Sequence, residues 1–205
     1  MMMLRNNTIE KMKYKVLIFG LMALALSCQP KTEYDKLKAR ELASGKVVED
    51  LFLDIKFGMG RKEFFGTCWE HNKKGILTNG AHYLQVEYKP EVPSGKGVRM
   101  NFYPQFEDNH LYFMPVEFQY TSWFPGNEDF TNDKLLDDVL GLLKGWYGDD
   151  FLEVSNKTNT TRAFVRIDGN RWIRVFIKDM TTVRVEMLDL RIKDISDMTK
   201  KSNEA

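Results

Sequence analysis

From residue 35 to residue 192 the chain switches between two hydrophobic spacings. In some stretches apolar side chains recur every three or four residues, in others every second residue, the periods of a half-buried helix and a half-buried strand. A short helix is expected over Asp35–Ala43, closed by Ser44-Gly45. "LFLDIKFGMGRKEFFGTCWEHNKKG" (51–75) opens as an apolar, strand-like run and becomes a helix after Gly60. Gly60 occupies the N-cap position, with Glu63 as half of a capping box. Phe64, Phe65, Cys68 and Trp69 form the apolar stripe, and Lys73-Lys74-Gly75 supplies a cationic last turn and a left-handed cap.

Strand spacing follows. His82, Leu84, Val86 and Tyr88 alternate with polar neighbours, then a Pro/Gly-rich loop leads to Val98, Met100 and Phe102. In "LYFMPVEFQYTSWF", Pro115 predicts an edge position or a bulge that switches parity. After a polar linker, "TNDKLLDDVLGLLKGWYG" (131–148) is a second amphipathic helix, with Leu135, Leu136, Val139, Leu140, Leu143, Trp146 and Tyr147 inward. Further strands close the chain from Phe151 to Ile192. Helix, β-meander, helix, β-meander predicts an α+β fold: an antiparallel sheet with helices on one face. The two halves, roughly 50–124 and 128–192, share this element order.

The last meander raises a question of parity. Ala163, Val165 and Ile167 form one aliphatic row, Ile173, Val175 and Ile177 another. For both to face one core the loop between them must be odd, so Asp168-Gly169-Asn170 is expected to pair residue 165 with 173. The opposite face would then carry Arg162, Phe164, Arg166, Trp172, Arg174 and Phe176, with Arg184 beside Phe176. Aromatic rings interleaved with guanidiniums are the composition of binding hot spots, and also of a solvated sheet face whose arginine stems cover the rings.

The start of the chain has neither period. Val16–Leu26 is an eleven-residue apolar run preceded by Lys11, Lys13 and Lys15. At about 1.5 Å per residue it covers roughly half a bilayer core, the length of a signal h-region rather than a span. Ser27-Cys28 follows, and the pattern resembles the lipobox of bacterial lipoproteins, with Ala25 where leucine is preferred. That resemblance implies that residues 1–27 are a signal peptide and that Cys28 is acylated, anchoring the chain to a membrane. Ala23-Leu24-Ala25 leaves a rival open: ordinary signal-peptidase cleavage with Cys28 as a free thiol. Met12 is the expected translation start, because Met12–Lys15 already completes an n-region. Residues 28–35 would be a tether, 36–195 one domain and 196–205 a frayed tail.

Charge narrows the partners. The chain has 30 basic and 29 acidic side chains; with four and one of these in the leader, residues 28–205 have 26 and 28. A near-neutral balance removes the global electrostatic case for nucleic acid and for an anionic membrane surface. With Cys28 acylated, Cys68 has no disulfide partner.

Three stretches, "RELASGK" (40–46), "LFLDIKFGM" (51–59) and "CWEHNKKG" (68–75), resemble a group of Bacteroidota envelope lipoproteins. "IKFGMGRKEFF" is also similar to the entry to the first helix of small outer-membrane-assembly lipoproteins and β-lactamase-inhibitor-protein-like domains. The resemblance implies an envelope lipoprotein, expected at the outer membrane, with a helix-plus-sheet fold; it brings no activity and no catalytic residues.

The residues themselves offer little chemistry. HExxH, CxxC, GxSxG and GxGxxG are all missing from the sequence. "VPSGKGV" lacks the glycine and hydroxyl spacing of a phosphate loop and reads as a hairpin loop. His71, His82 and His110 are scattered, and the pairs Glu107-Asp108, Asp137-Asp138 and Asp149-Asp150 read as solvated or capping positions. Cys68, in an apolar stripe, reads as a buried inert thiol. No metal, cofactor or catalytic residue is expected. The expectation is a non-catalytic, membrane-anchored lipoprotein that binds an envelope protein through the Arg/aromatic face. The alternative is a glycan- or small-ligand-binding protein using Trp123 and Phe124 in "YTSWFPG".

Overall fold

The computed structural model describes residues 31–80, 85–155 and 162–195. The leader with Cys28, residues 82–84 of the expected strand and the 196–205 tail lie outside the described residues. The chain divides into two compact units, 1–36 and 37–205, and only residues 31–36 of the first are described. There, Thr32 and Asp35 form a reciprocal cap: Asp35 N–H donates to Thr32 Oγ1 (3.1 Å) and Thr32 N–H to Asp35 Oδ2 (3.0 Å). Helix α1 therefore begins at Glu33, two residues before the expected start, and runs to Ala43.

The domain is an α+β fold. Helix α2 (Arg61–Lys73) is followed by strands β1 (Leu77–Asn79), β2 (Val86–Tyr88), β3 (Val98–Phe102), β4 (Gln105–Glu107) and β5 (His110–Tyr120). Helix α3 (Asn132–Tyr147) is followed by β6 (Leu152–Ser155), β7 (Arg162–Asp168), β8 (Arg171–Ile177) and β9 (Val183–Asp189). All pairings are antiparallel, in the order β1-β2-β3-β5-β9-β8-β7-β6, with β4 beside β5. Each half is thus a helix plus a meander, and the last strand of each meets the other at the sheet centre.

The core lies between this sheet and the helices. Val98, Met100 and Phe102 face it as alternation predicts, joined by Val116, Phe118, Val185, Ile173 and Val175. Helix α3 adds Leu135, Leu136, Val139, Leu140, Leu143 and Tyr147, with Trp146 half-buried at its margin. The α3 N-cap is Thr131, whose hydroxyl accepts from Lys134 N–H (3.4 Å).

Four local expectations need correction. Residues 51–59 are not a strand: Leu51, Phe52, Ile55, Phe57 and Met59 are buried, but Leu53 and Asp54 take left-handed backbone (φ 49° and 60°) and reverse the chain. Phe52 meets Phe102 edge to face (ring centroids 4.9 Å) and stacks on Trp146 (6.1 Å), so the apolar content serves a turn inserted into the core. His71 Nε2 lies 3.0 Å from the Leu53 carbonyl and 3.2 Å from Asp54, which ties this turn to α2.

In α2 the buried stripe is Phe64, Cys68 and His71; Phe65 and Trp69 face solvent. Gly60 gives α2 no side-chain cap, since glycine has no side-chain acceptor, so the box expected with Glu63 lacks its first half. The C-terminal cap is as expected: Gly75 (φ 72°) and Ile76 donate to the Asn72 and His71 carbonyls.

Strand β5 is central, not an edge. The bulge expected in this run falls at Tyr112, where Gln105 faces Phe113 but Phe106 faces Leu111. It lets Leu111 and Met114 reach one core. Pro115 sits where β5 passes from β4 to β3, between partners Phe113 and Val116.

Asp138 is buried, not solvated. Its carboxylate accepts from Ser94 N–H (3.0 Å), Ser94 Oγ (2.6 Å) and the Tyr120 hydroxyl (2.6 Å). A side chain on Gly141 would meet Pro93 at 2.6 Å, so the β2–β3 loop is seated directly on α3. The "VPSGKGV" stretch is thus the connection between two strands, as read, and Ser94 is its clasp.

Candidate functional site

The β7–β8 hairpin decides what the sheet face turned away from α2 and α3 contains. Its turn is two residues, Gly169-Asn170, with Asp168 opposite Arg171 and Val165 opposite Arg174. The odd loop expected from the aliphatic rows is therefore wrong. Gly169 (φ 58°) is packed under the Lys46 backbone, whose carbonyl would lie 2.1 Å from a Cβ. Asn170 is buried, accepts from Val48 N–H (2.6 Å) and donates to Asp189 (2.9 Å). These distant partners hold the even register.

The consequence is that the expected Arg/aromatic lattice splits. Phe164 and Arg166 lie on the helix side, opposite Val175 and Ile173. Arg162 shares that parity, pairs with Glu153 (2.7 Å) and sits 5.6 Å over the Phe164 ring. Arg166 runs beside Gly148 at the end of α3 and reaches Asp150 (3.4 Å). Val165 and Ile167, expected in the main core, face the other way and are buried with Phe113, Trp172 and Leu188 in a smaller cluster.

Trp172, Arg174, Phe176 and Arg184 do share the sheet face turned away from α2 and α3, and Arg184 stands opposite Phe176 as expected. Their charges are consumed locally. Arg174 bonds Glu186 (2.6 Å) and covers Phe176 (4.7 Å) and Trp172 (5.5 Å), while Arg184 and Lys178 both bond Glu117 (2.7 Å each). Burial works against charge on Glu117, yet hydrogen bonds from Lys178 and Arg184 hold its carboxyl below the ordinary value. Trp172, expected on the exposed Arg/aromatic face, is buried.

The other expected residues converge on a real concavity. Trp123, Phe124, Pro125 and Gly126 line a cleft of about 350 Å³ with Asn127, Glu128, Thr131, Asn132 and Met180. Phe124 is 57% exposed, Met180 74%, and Trp123 is half-buried against the core margin. The cleft walls are fixed. Asn127 Oδ1 accepts from Asp129 N–H (3.1 Å), starting a 3-10 turn over Glu128–Phe130 that leads into α3. Asn132 Nδ2 donates to the Asp179 carbonyl (3.3 Å), joining the start of α3 to the β8–β9 turn that carries Met180. Burial disfavours charge on Asp179, but hydrogen bonds from Thr181 and Thr182 hold its carboxyl below the ordinary value and brace that turn.

Within the described residues Glu128 makes no ion pair, leaving a carboxylate acceptor at the rim between exposed aromatic and thioether surfaces. Such a cleft can stack an apolar ring face and accept hydroxyl hydrogens. Trp123 and Phe124 stood out in the sequence as aromatics in a polar stretch. Asn127, Glu128, Asn132 and Met180 did not, since nothing local brings the linker to a turn some fifty residues later.

Among the described residues no group of three or more His, Cys, Asp or Glu is placed to hold a metal ion, and no helix is long and apolar enough to cross a membrane. Burial pushes the Cys68 thiol up to about 12. Comparison with known proteins finds no matching family model, no similar curated protein and no similar solved structure.

Proposed function

We propose that this protein is a lipid-anchored envelope protein that binds, without transforming, a carbohydrate or another small polyhydroxylated ligand in the Trp123–Asn132 cleft. The anchor rests on the Lys11–Cys28 pattern and the lipobox resemblance. The cleft is the observation that carries the binding role. Its volume, about 350 Å³, falls at the small end of ordinary ligand sites and suits one sugar ring or two. Aromatic faces for the ring and a free carboxylate at the rim are the two chemistries such a ligand needs.

Titrating the protein with envelope glycan fragments while following tryptophan emission tests this. Saturable change, lost in Trp123→Phe and weakened at least tenfold in Phe124→Ala, is the expected result. Full response in both variants would sink the cleft as the site.

A protein partner on the sheet face turned away from α2 and α3 is the second reading. It is favoured by one observation: Arg174, Phe176 and Arg184 lie together and half-buried on that face. Arg162, Phe164 and Arg166 no longer belong to that surface. Cross-linking in intact cells, repeated with Arg174→Ala and Arg184→Ala, separates the readings: a single partner lost on substitution would favour this face.

A further inference from the structure

Helix α2 turns an apolar stripe toward solvent. Trp69 is 60% exposed, Phe65 43% and Ile76, just past the helix cap, 38%. Residues 62, 65, 69 and 73 are spaced three and four apart, so Lys62 and Lys73 flank the two rings on one helix face. Lys73 Nζ lies 5.6 Å over the Trp69 ring and also bonds Glu70 (2.8 Å). Lys62 and Lys74 are exposed and make no ion pair within the described residues. Across 61–76 the exposed charges are Arg61, Lys62, Lys73 and Lys74 against Glu63 and Glu70.

Among the described residues, Phe124 lines the cleft, and the half-buried Phe176 lies under Arg174. The α2 rings stand on an exposed helix face beside the ammoniums of Lys62, Lys73 and Lys74. Indole and phenyl rings settle at the headgroup level of a bilayer, and long lysine stems carry their ammoniums to anionic headgroups.

We propose that this face of α2 is a membrane-contact surface that lays the domain on anionic lipid headgroups. The proposal rests on the anchor at Cys28, because a contact of two rings and two or three lysines is weak alone. Glu33, where α1 begins, is five residues beyond Cys28, a reach of at most about 18 Å, so acylation would keep the domain at high local concentration over lipid.

The test is bromolipid quenching of tryptophan emission from the mature chain bound to phosphatidylcholine vesicles, with and without one part phosphatidylglycerol in about three. Flotation and the mass of the Cys28 peptide are read on the same samples. Quenching that needs the anionic lipid, falls in high salt and disappears in Trp69→Phe is expected. Each lysine near an anionic surface is worth a factor of about five in partitioning, so Lys62→Glu/Lys74→Glu should cut quenching well over tenfold.

Acylated chain that floats with the vesicles yet shows no quenching keeps the anchor and refutes the face. Quenching that survives Trp69→Phe also refutes it, by moving the contact to another tryptophan. Trp69 left open to acrylamide on vesicles but shielded in native envelopes would assign the face to a protein and overturn the lipid proposal. Chain that is not acylated but is still quenched by anionic vesicles drops the anchor and leaves the face standing.

Discussion

Asp138→Ala is the most informative perturbation of the fold. The carboxylate is buried and accepts three hydrogen bonds, two from Ser94 and one from Tyr120. Hydrogen bonds to a charged group contribute roughly 1.5–3 kcal/mol each, but the lost group also returns its own desolvation cost. Removing it leaves the buried Tyr120 hydroxyl unpaired, hands the donors of the exposed Ser94 to water and frees the β2–β3 loop from α3. A net loss of about 3 kcal/mol follows, or near 10 °C in Tm for a domain this size. Tyr120→Phe and Ser94→Ala, each removing fewer donors, should cost about 1–2 kcal/mol. Urea unfolding followed by fluorescence and circular dichroism gives the midpoints, and the slope should not change if the compactness of both end states is kept. Because the three residues share one carboxylate, the double variant Asp138→Ala/Tyr120→Phe should lose clearly less than the sum of the two singles. A cost below about 1 kcal/mol for Asp138→Ala, or strict additivity, would refute the clasp.

Gly169→Ala should be among the most damaging small substitutions, at about 3 kcal/mol or more, since it combines left-handed backbone with a Cβ driven into the Lys46 carbonyl; thermal melts of the variant check it. The Cys68 thiol should resist maleimide at pH 8 in the native protein and react promptly in urea, because burial keeps it protonated as well as covered; mass spectrometry of labelled protein reads this directly. Glu117 and Asp168 have carboxyls held below their ordinary values, so their stabilisation is complete above the unfolded values of 4.5 and 3.8. It is lost as pH falls through the lower folded values, and the urea midpoint should be level above about pH 5 and drop beneath pH 4. Glu117→Gln should shallow that acid limb; an unchanged limb would dissociate the Lys178/Arg184 pairs from it.

What local pattern can determine, it determined. The period of 131–148 placed α3 and its buried stripe, the alternation of Val98, Met100 and Phe102 placed a core strand, and Lys73-Lys74-Gly75 placed a helix end. The antiparallel α+β class followed from element order alone, since short hairpin connections force antiparallel neighbours. Three things depended on partners far away in the chain. The apolar run at 51–59 is equally suited to a strand or a buried turn, and the left-handed Leu53-Asp54 pair with His71 selected the turn. Phe65 and Trp69 are as hydrophobic as Phe64 and Cys68, and only where the sheet lies decides which pair is covered. The β7–β8 register was the most consequential: aliphatic residues occupy both faces of that hairpin because each face has its own cluster. Alternation cannot say which of two buried faces a row belongs to. Lys46 over Gly169, and Val48 and Asp189 on Asn170, supplied the answer and with it the contents of the face turned away from α2 and α3. The cleft has the same origin: its rings were legible, but a side chain's period carries no information about the distant turn that becomes the other wall.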